Sequence, residues 1–147
     1  MDEIEEDNFY ISYVYENDPK LMAVFGDVIA DTYANGQKLM AVFDATSGQR
    51  ILQDFTGVVK NSGKRVTLLN GIVHSFNDEP AISMLDAVCT KQWVCNGVVS
   101  RHTGPALIYF DGNYRFVING VKYTFDEFIK LSNATDEQKI EMLLKYS

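Results

Sequence analysis

The 147-residue sequence predicts a mainly β protein: an antiparallel meander of β-hairpin repeats, closed by a short C-terminal helical cap. Three observations carry this. First, Asn-Gly occurs four times, at Asn35-Gly36, Asn70-Gly71, Asn96-Gly97 and Asn119-Gly120, each between short aliphatic, β-branched or aromatic runs. Asn-Gly suits a type I′ hairpin turn, because both central residues need a positive φ, which Asn tolerates and Gly adopts without steric cost. Second, the string Lys-Leu-Met-Ala-Val-Phe stands at residues 20–25 and, unchanged, at residues 38–43. Third, Asn70-Gly71-Ile72-Val73-His74 leads to Glu79-Pro80-Ala81-Ile82, and Asn96-Gly97-Val98-Val99-Ser100 leads to Gly104-Pro105-Ala106-Leu107. A truncated copy, Asn119-Gly120-Val121-Lys122-Tyr123, follows. Repeats of this length mark a stacked array in which each unit buries its apolar face against its neighbours.

The elements follow in order. Residues 1–8, opening Met1-Asp2-Glu3-Ile4-Glu5-Glu6-Asp7, read as an acidic, flexible, solvated tail. Residues 9–123 read as the hairpin repeats and 124–147 as C-terminal helices, together one domain. Tyr10-Ile11-Ser12-Tyr13-Val14-Tyr15 has strong β propensity and ends at a turn, Glu16-Asn17-Asp18-Pro19. Strands at 21–25, 28–33, 39–43, 50–55 and 58–59 are separated by Gly26-Asp27, Ala34-Asn35-Gly36 and Thr46-Ser47-Gly48. Further strands are expected at 65–69, 72–74, 93–95, 98–99, 106–110 and 114–118, with Asp111-Gly112 as a tight turn. Residues 81–87 fit either a strand or one helical turn. Thr124-Phe125-Asp126-Glu127 has the form of a capping box and opens a helix to Leu131. Thr135 repeats the signal and opens a second helix to Tyr146, in which Ile140, Leu143 and Leu144 form a stripe expected to close the open end of the sheet.

Composition bounds the function. With 46% hydrophobic and 12% aromatic residues the chain can bury a core without metals or disulfides. No 18-residue apolar run and no charged-then-apolar leader is present, so the expectation is a soluble cytoplasmic protein with no membrane partner. The net charge of −7 argues against nucleic acid, whose affinity comes mainly from Lys and Arg. Cys89 and Cys95 lie too far apart for a Cys-x-x-Cys pair and are expected to be buried thiols, with no metal and no cofactor. The two histidines, His74 and His102, lie in no nucleophile elbow or metal-spaced cluster. His74 paired with Asp78 or Glu79 is the one acid–base arrangement on offer, and the expectation is that the protein is not an enzyme.

The stretch Trp93-Val-Cys-Asn-Gly-Val-Val-Ser-Arg-His-Thr-Gly-Pro-Ala-Leu-Ile-Tyr-Phe-Asp-Gly-Asn-Tyr-Arg-Phe-Val-Ile-Asn-Gly-Val-Lys-Tyr-Thr-Phe-Asp-Glu-Phe128 resembles the "NG…HR.DGPA…NG" repeats of large tailed phages and giant viruses. These are distantly similar to MORN-type hairpin repeats. The resemblance covers about residues 71–147. No single repeat here carries the full signature: His74 is followed by Ser75 where the pattern has Arg, and Arg101 is preceded by Ser100 where it has His. The resemblance implies a viral accessory protein without catalytic activity, binding and inhibiting a host protein such as a defence factor, in the host cytoplasm. Candidate partner-binding residues are Trp93, Arg101, His102, Tyr109, Tyr114 and Arg115, since aromatic and Arg side chains dominate interface hot spots. Alternatives are sequestration of a small nucleotide-like signal, with Arg101, His102, Lys122 and Tyr123 lining an anion pocket, or a virion or assembly role. A homo-oligomer formed at an exposed sheet edge is a further candidate.

Overall fold

The computed structural model describes residues 1–15 and 38–147. The strands expected at 21–25 and 28–33, the turns at 16–19, 26–27 and 34–36, and the first copy of the six-residue string lie outside the described residues.

The protein is mainly β. Its strands are β1 Glu3–Glu5, β2 Phe9–Tyr15, β3 Lys38–Asp44, β4 Gly57–Lys60, β5 Lys64–Leu69, β6 Ile72–Val73, β7 Ile82–Met84, β8 Cys89–Gln92, β9 Val94–Cys95, β10 Val98–Val99, β11 Leu107–Tyr109, β12 Tyr114–Ile118 and β13 Val121–Tyr123. Two helices follow, α1 Phe125–Leu131 and α2 Asp136–Tyr146. The main sheet runs β1-β4-β5-β7-β8-β11-β12-β13, with β6 also on β5, while β2 pairs with β3 and β9 with β10. Among the described residues all pairs are antiparallel except β1 with β4.

That exception corrects the reading of residues 1–8 as a flexible tail. Glu3–Glu5 adds to the sheet edge in register with Val58–Lys60, and Lys60 Nζ meets Glu3 Oε2 at 3.3 Å. Alternating charge on a strand exposed on one face looks like a solvated tail, yet its backbone covers an otherwise unpaired edge. The strand expected at 50–55 is also corrected, since only Arg50 bridges, to Phe43, and the chain then runs as a loop with Leu52 at φ 60°. The loop brings the Phe55 carbonyl to the next turn, as described below. Residues 81–87, compatible with two forms, contain strand β7.

The repeat turns take the expected form. Asn70, Asn96 and Asn119 have φ of 51°, 47° and 49°, and Gly71, Gly97 and Gly120 have φ of 78°, 86° and 80°. A Cβ at Gly71 would fall 2.1 Å from the Gln53 carbonyl oxygen, so Gly is needed there for close approach as well as for conformation.

Each unit buries its apolar face against the next. One cluster joins Phe9, Met40 and Val42 of the paired strands β2 and β3 to Val59, Val66, Leu68, Val73, Ile82 and Val94. A second is Trp93, Ala106 and Val117, and a third is Phe116, Ile118, Phe128 and Met142. The two Pro-Ala motifs occupy equivalent places: the Ala81 carbonyl accepts from Thr67 N–H and the Ala106 carbonyl from Trp93 N–H, both at 2.8 Å, and both alanines are wholly buried.

Both capping boxes form as expected. Thr124 Oγ1 accepts from Glu127 N–H while Glu127 Oε1 accepts from Thr124 N–H, and Thr135 and Gln138 do the same. The stripe does not close the sheet. Ile140, Leu143 and Leu144 are 58%, 43% and 84% exposed, and Met142 on the opposite side docks at 4%. Phe116 and Phe128, with ring centroids 4.7 Å apart, already fill the sheet end, so α2 docks through Met142 and through Tyr146, whose ring lies edge-on to Phe116 at 5.4 Å.

Candidate functional site

The residues with the most chemistry lie where one repeat meets the next. At each of the three described Asn-Gly turns two backbone N–H groups donate into the preceding unit. Gly71, Gly97 and Gly120 donate to the carbonyls of Phe55, Val73 and Val99, each at 2.8 Å. Asn70, Asn96 and Asn119 donate to the next residue's side chain: Thr56 Oγ1 at 3.0 Å, His74 Nδ1 at 2.9 Å and Ser100 Oγ at 3.0 Å. Thr, His and Ser are interchangeable here because each offers one acceptor at this reach. Ser100 thus makes the bond that His74 makes one repeat earlier.

An acceptor at Nδ1 places the His74 proton on Nε2, and the ring lies edge-on to Phe76 with centroids 5.0 Å apart. Burial holds its pKa below the ordinary imidazole range. His102 repeats the arrangement at the C-terminal junction: its Nδ1 accepts from Asn133 N–H at 3.0 Å, and its carbonyl accepts from Ser132 Oγ. Its pKa is lowered by burial as well.

Arg101 occupies the position of Ser75 in the previous unit, since Ser75 N–H donates to the Val94 carbonyl and Arg101 N–H to the Val117 carbonyl. Its Nε and Nη2 bind the two oxygens of Asp78 at 2.9 and 3.1 Å, Nη1 donates to the Pro105 carbonyl at 3.1 Å, and the guanidinium lies 3.9 Å from the Trp93 ring centroid. Trp93 Nε1 donates to the Asp78 carbonyl at 2.9 Å and Thr103 Oγ1 to its carboxylate at 2.8 Å. Asp78 comes from a turn in which Asn77 and Asp78 both have positive φ, a turn with no Gly to mark it in the sequence. Burial pushes the Asp78 carboxyl upward, but hydrogen bonds from Arg101 and Thr103 and the Arg101 charge outweigh it and leave the group below the usual carboxylate range.

The six candidate residues thus fall into groups. Trp93 and Arg101 meet in one cluster with Asp78, and Trp93 is buried. His102 anchors the helical segment. Tyr109 and Arg115 face each other on neighbouring strands, the guanidinium carbon 5.4 Å from the ring centroid. Tyr114, 38% exposed, packs edge-on to Tyr146 of α2 at 5.1 Å. His74 does not pair with Asp78, whose carboxylate is taken by Arg101. Nor do Lys122 and Arg101 converge on one anion pocket: Lys122 lines a cleft with Tyr13, Lys38 and Val98, and Arg101 lines another with Asp78, Glu141 and Lys145. Cys95 is exposed, contrary to its reading as a buried thiol, because β9 is a two-residue strand and only Val94 faces inward. Cys89 is partly buried, which pushes its thiol upward.

No group of three or more His, Cys, Asp and Glu residues with metal-binding geometry occurs among the described residues. No helix among them is long and apolar enough to cross a membrane. No family model, curated protein or solved structure matches this chain.

Proposed function

We propose that this is a noncatalytic binding protein that engages another protein through the outward face of α2. The carrying observation is the stripe of Ile140, Leu143 and Leu144, spaced i, i+3, i+4 and turned away from the core. A helix with apolar residues at that spacing on its free face fits an apolar groove in a partner. The chemistry-bearing residues support the reading from the other side, since His74, His102, Arg101 and Asp78 all serve to join units. Tyr114, which touches Tyr146 of the same helix, and neighbouring Arg115 extend the surface. Together with the viral resemblance, the reading becomes an accessory protein that binds a host protein such as a defence factor.

The test is affinity capture from host lysate with the wild-type chain beside Ile140→Glu/Leu144→Glu. A stoichiometric protein retained by wild type and lost by the variant supports the proposal. Equal capture by both overturns the α2 face, and concentration-dependent self-association abolished by the variant makes the occupant a second copy of this chain.

A further inference from the structure

The sheet register places four residues in one row across four adjacent strands: Lys60 opposite Arg65, Arg65 opposite Ser83, and Ser83 opposite Lys91. Directly opposed residues share a face, so three cations and a hydroxyl project together. The row lines a cleft of about 430 Å³ that also includes Lys64, with Met84 and Leu85 as apolar lining and no acidic residue. Such a concentration is unexpected in a chain with 20 Asp and Glu against 13 Lys and Arg.

The intramolecular partners leave part of this charge unanswered. Lys60 pairs with Glu3 at 3.3 Å, and Glu5 stands opposite Lys60 in the register at the β1 end of the row. Lys64 Nζ donates to the Phe9 carbonyl and lies 4.8 Å from the Phe9 ring centroid. Arg65 and Lys91 have no ion pair among the described residues, and both are exposed. Glu3 answers the charge of Lys60, and Arg65 also lines a neighbouring cleft with Glu3 and Glu79, so the unpaired charge of the row lies at its Arg65–Lys91 end. Strands are spaced by about 4.8 Å, so Arg65 and Lys91 flank Ser83 at roughly 10 Å from each other, a span their long side chains close around one tetrahedral anion.

From this we infer that the row binds a phosphorylated small molecule, its phosphate seated over Ser83 between Arg65 and Lys91. Arg65 supplies a planar fork that matches two phosphate oxygens, Lys91 a compact charge, and Ser83 a hydroxyl donor. The cleft volume suits a ligand of nucleotide size, with Leu85, two residues on from Ser83, against its non-phosphate part. A small molecule fits better than nucleic acid: the row is one phosphate site deep, and beyond it the acidic β1 edge opposes a longer polyanion. The inference goes beyond the protein-binding reading and uses a different surface.

The test is isothermal titration of the full chain with adenosine 5′-monophosphate, inorganic phosphate and a short single-stranded DNA, with thermal melting alongside. Saturable binding of the monophosphate with a raised melting temperature is expected. Arg65→Gln and Lys91→Met should each weaken it about tenfold, the loss of one charge-assisted hydrogen bond. Lys130→Gln, at an exposed position on α1, should leave it unchanged. Melting of each variant without ligand separates lost binding from lost folding, and Ile140→Glu/Leu144→Glu should still bind, so failure of the α2 proposal would not imitate failure here. No binding by folded wild type, equal binding by Arg65→Gln/Lys91→Met, or affinity that grows with DNA length would each overturn the inference.

Discussion

His74 Nδ1 accepts the backbone N–H of Asn96 at 2.9 Å, and Ser100 Oγ makes the same bond to Asn119 one repeat later. His74, which with Asp78 or Glu79 offers an acid–base pair in the sequence, is therefore an acceptor joining two hairpins, and the bond exists only while the ring is neutral. Burial lowers the pKa of His74 and of His102. As pH falls through about 6.5 the unfolded chain takes up protons on these residues before the folded chain does, so stability is full above that pH and declines below it. The urea midpoint should hold steady near neutrality and drop towards about pH 5. His74→Ser, which copies Ser100, should keep the bond and flatten part of that dependence; a midpoint independent of pH in both proteins would contradict the assignment.

Arg101 makes its contacts within the chain, to Asp78, Pro105 and Trp93. Arg101→Ala leaves the Asp78 carboxylate with Thr103 alone and uncovers the Trp93 ring, and should lower stability by about 1.5–3 kcal/mol. Arg101→Lys should recover less than half, because an ammonium cannot replace the bidentate fork. A double-mutant cycle with Asp78→Asn, read by chemical denaturation, should show a coupling of about 1 kcal/mol or more. Additive effects would mean that the two residues act separately.

Gly71 and Gly112 both have positive φ, at 78° and 87°, but differ in surroundings. An added Cβ meets the Gln53 carbonyl at Gly71 and nothing within 4 Å at Gly112. Gly112→Ala should cost about 1 kcal/mol of backbone strain, and Gly71→Ala about 3 kcal/mol or more, since backbone must move as well. Thermal unfolding of the two variants distinguishes these outcomes.

Within α2 the roles of apolar residues are divided. Met142→Ala should cost about 2–5 kcal/mol as a buried truncation. Leu144→Glu, at a site 84% exposed, should change stability by no more than about 0.5 kcal/mol. A large loss on Leu144→Glu would place that side chain in an intramolecular contact and remove the basis for a free binding face.

Much of the fold was legible because it is written in local chemistry. Asn-Gly fixes turn type through φ, and Thr124 with Glu127 fixes a helix start through two reciprocal hydrogen bonds. What escaped the sequence was decided by neighbours distant along the chain. Glu3–Glu5 becomes a strand because β4 offers it an edge, and the direction of the α2 stripe depends on which side chain finds room beside Phe116 and Phe128. The same holds for the sites. Arg101, Trp93 and His102 stand out by residue type, but their partners Asp78 and Asn133 are set by the stacking of units. The row of Lys60, Arg65, Ser83 and Lys91 has no spacing motif, since it appears only once the register is known. The signal open to a sequence reader was Lys-Arg at the start of a strand, opposite a Lys across a short hairpin.

The histidine bonds between units can be observed directly. In isotopically labelled protein near neutral pH, coupling across the hydrogen bond should link the Asn96 amide nitrogen to His74 Nδ1, and the Asn133 amide nitrogen to His102 Nδ1. Both signals should vanish when the imidazoles are protonated in acid. Absence of coupling at neutral pH, with Nδ1 carrying the proton, would contradict the account of these residues as acceptors between repeats and return them to consideration as free acid–base groups.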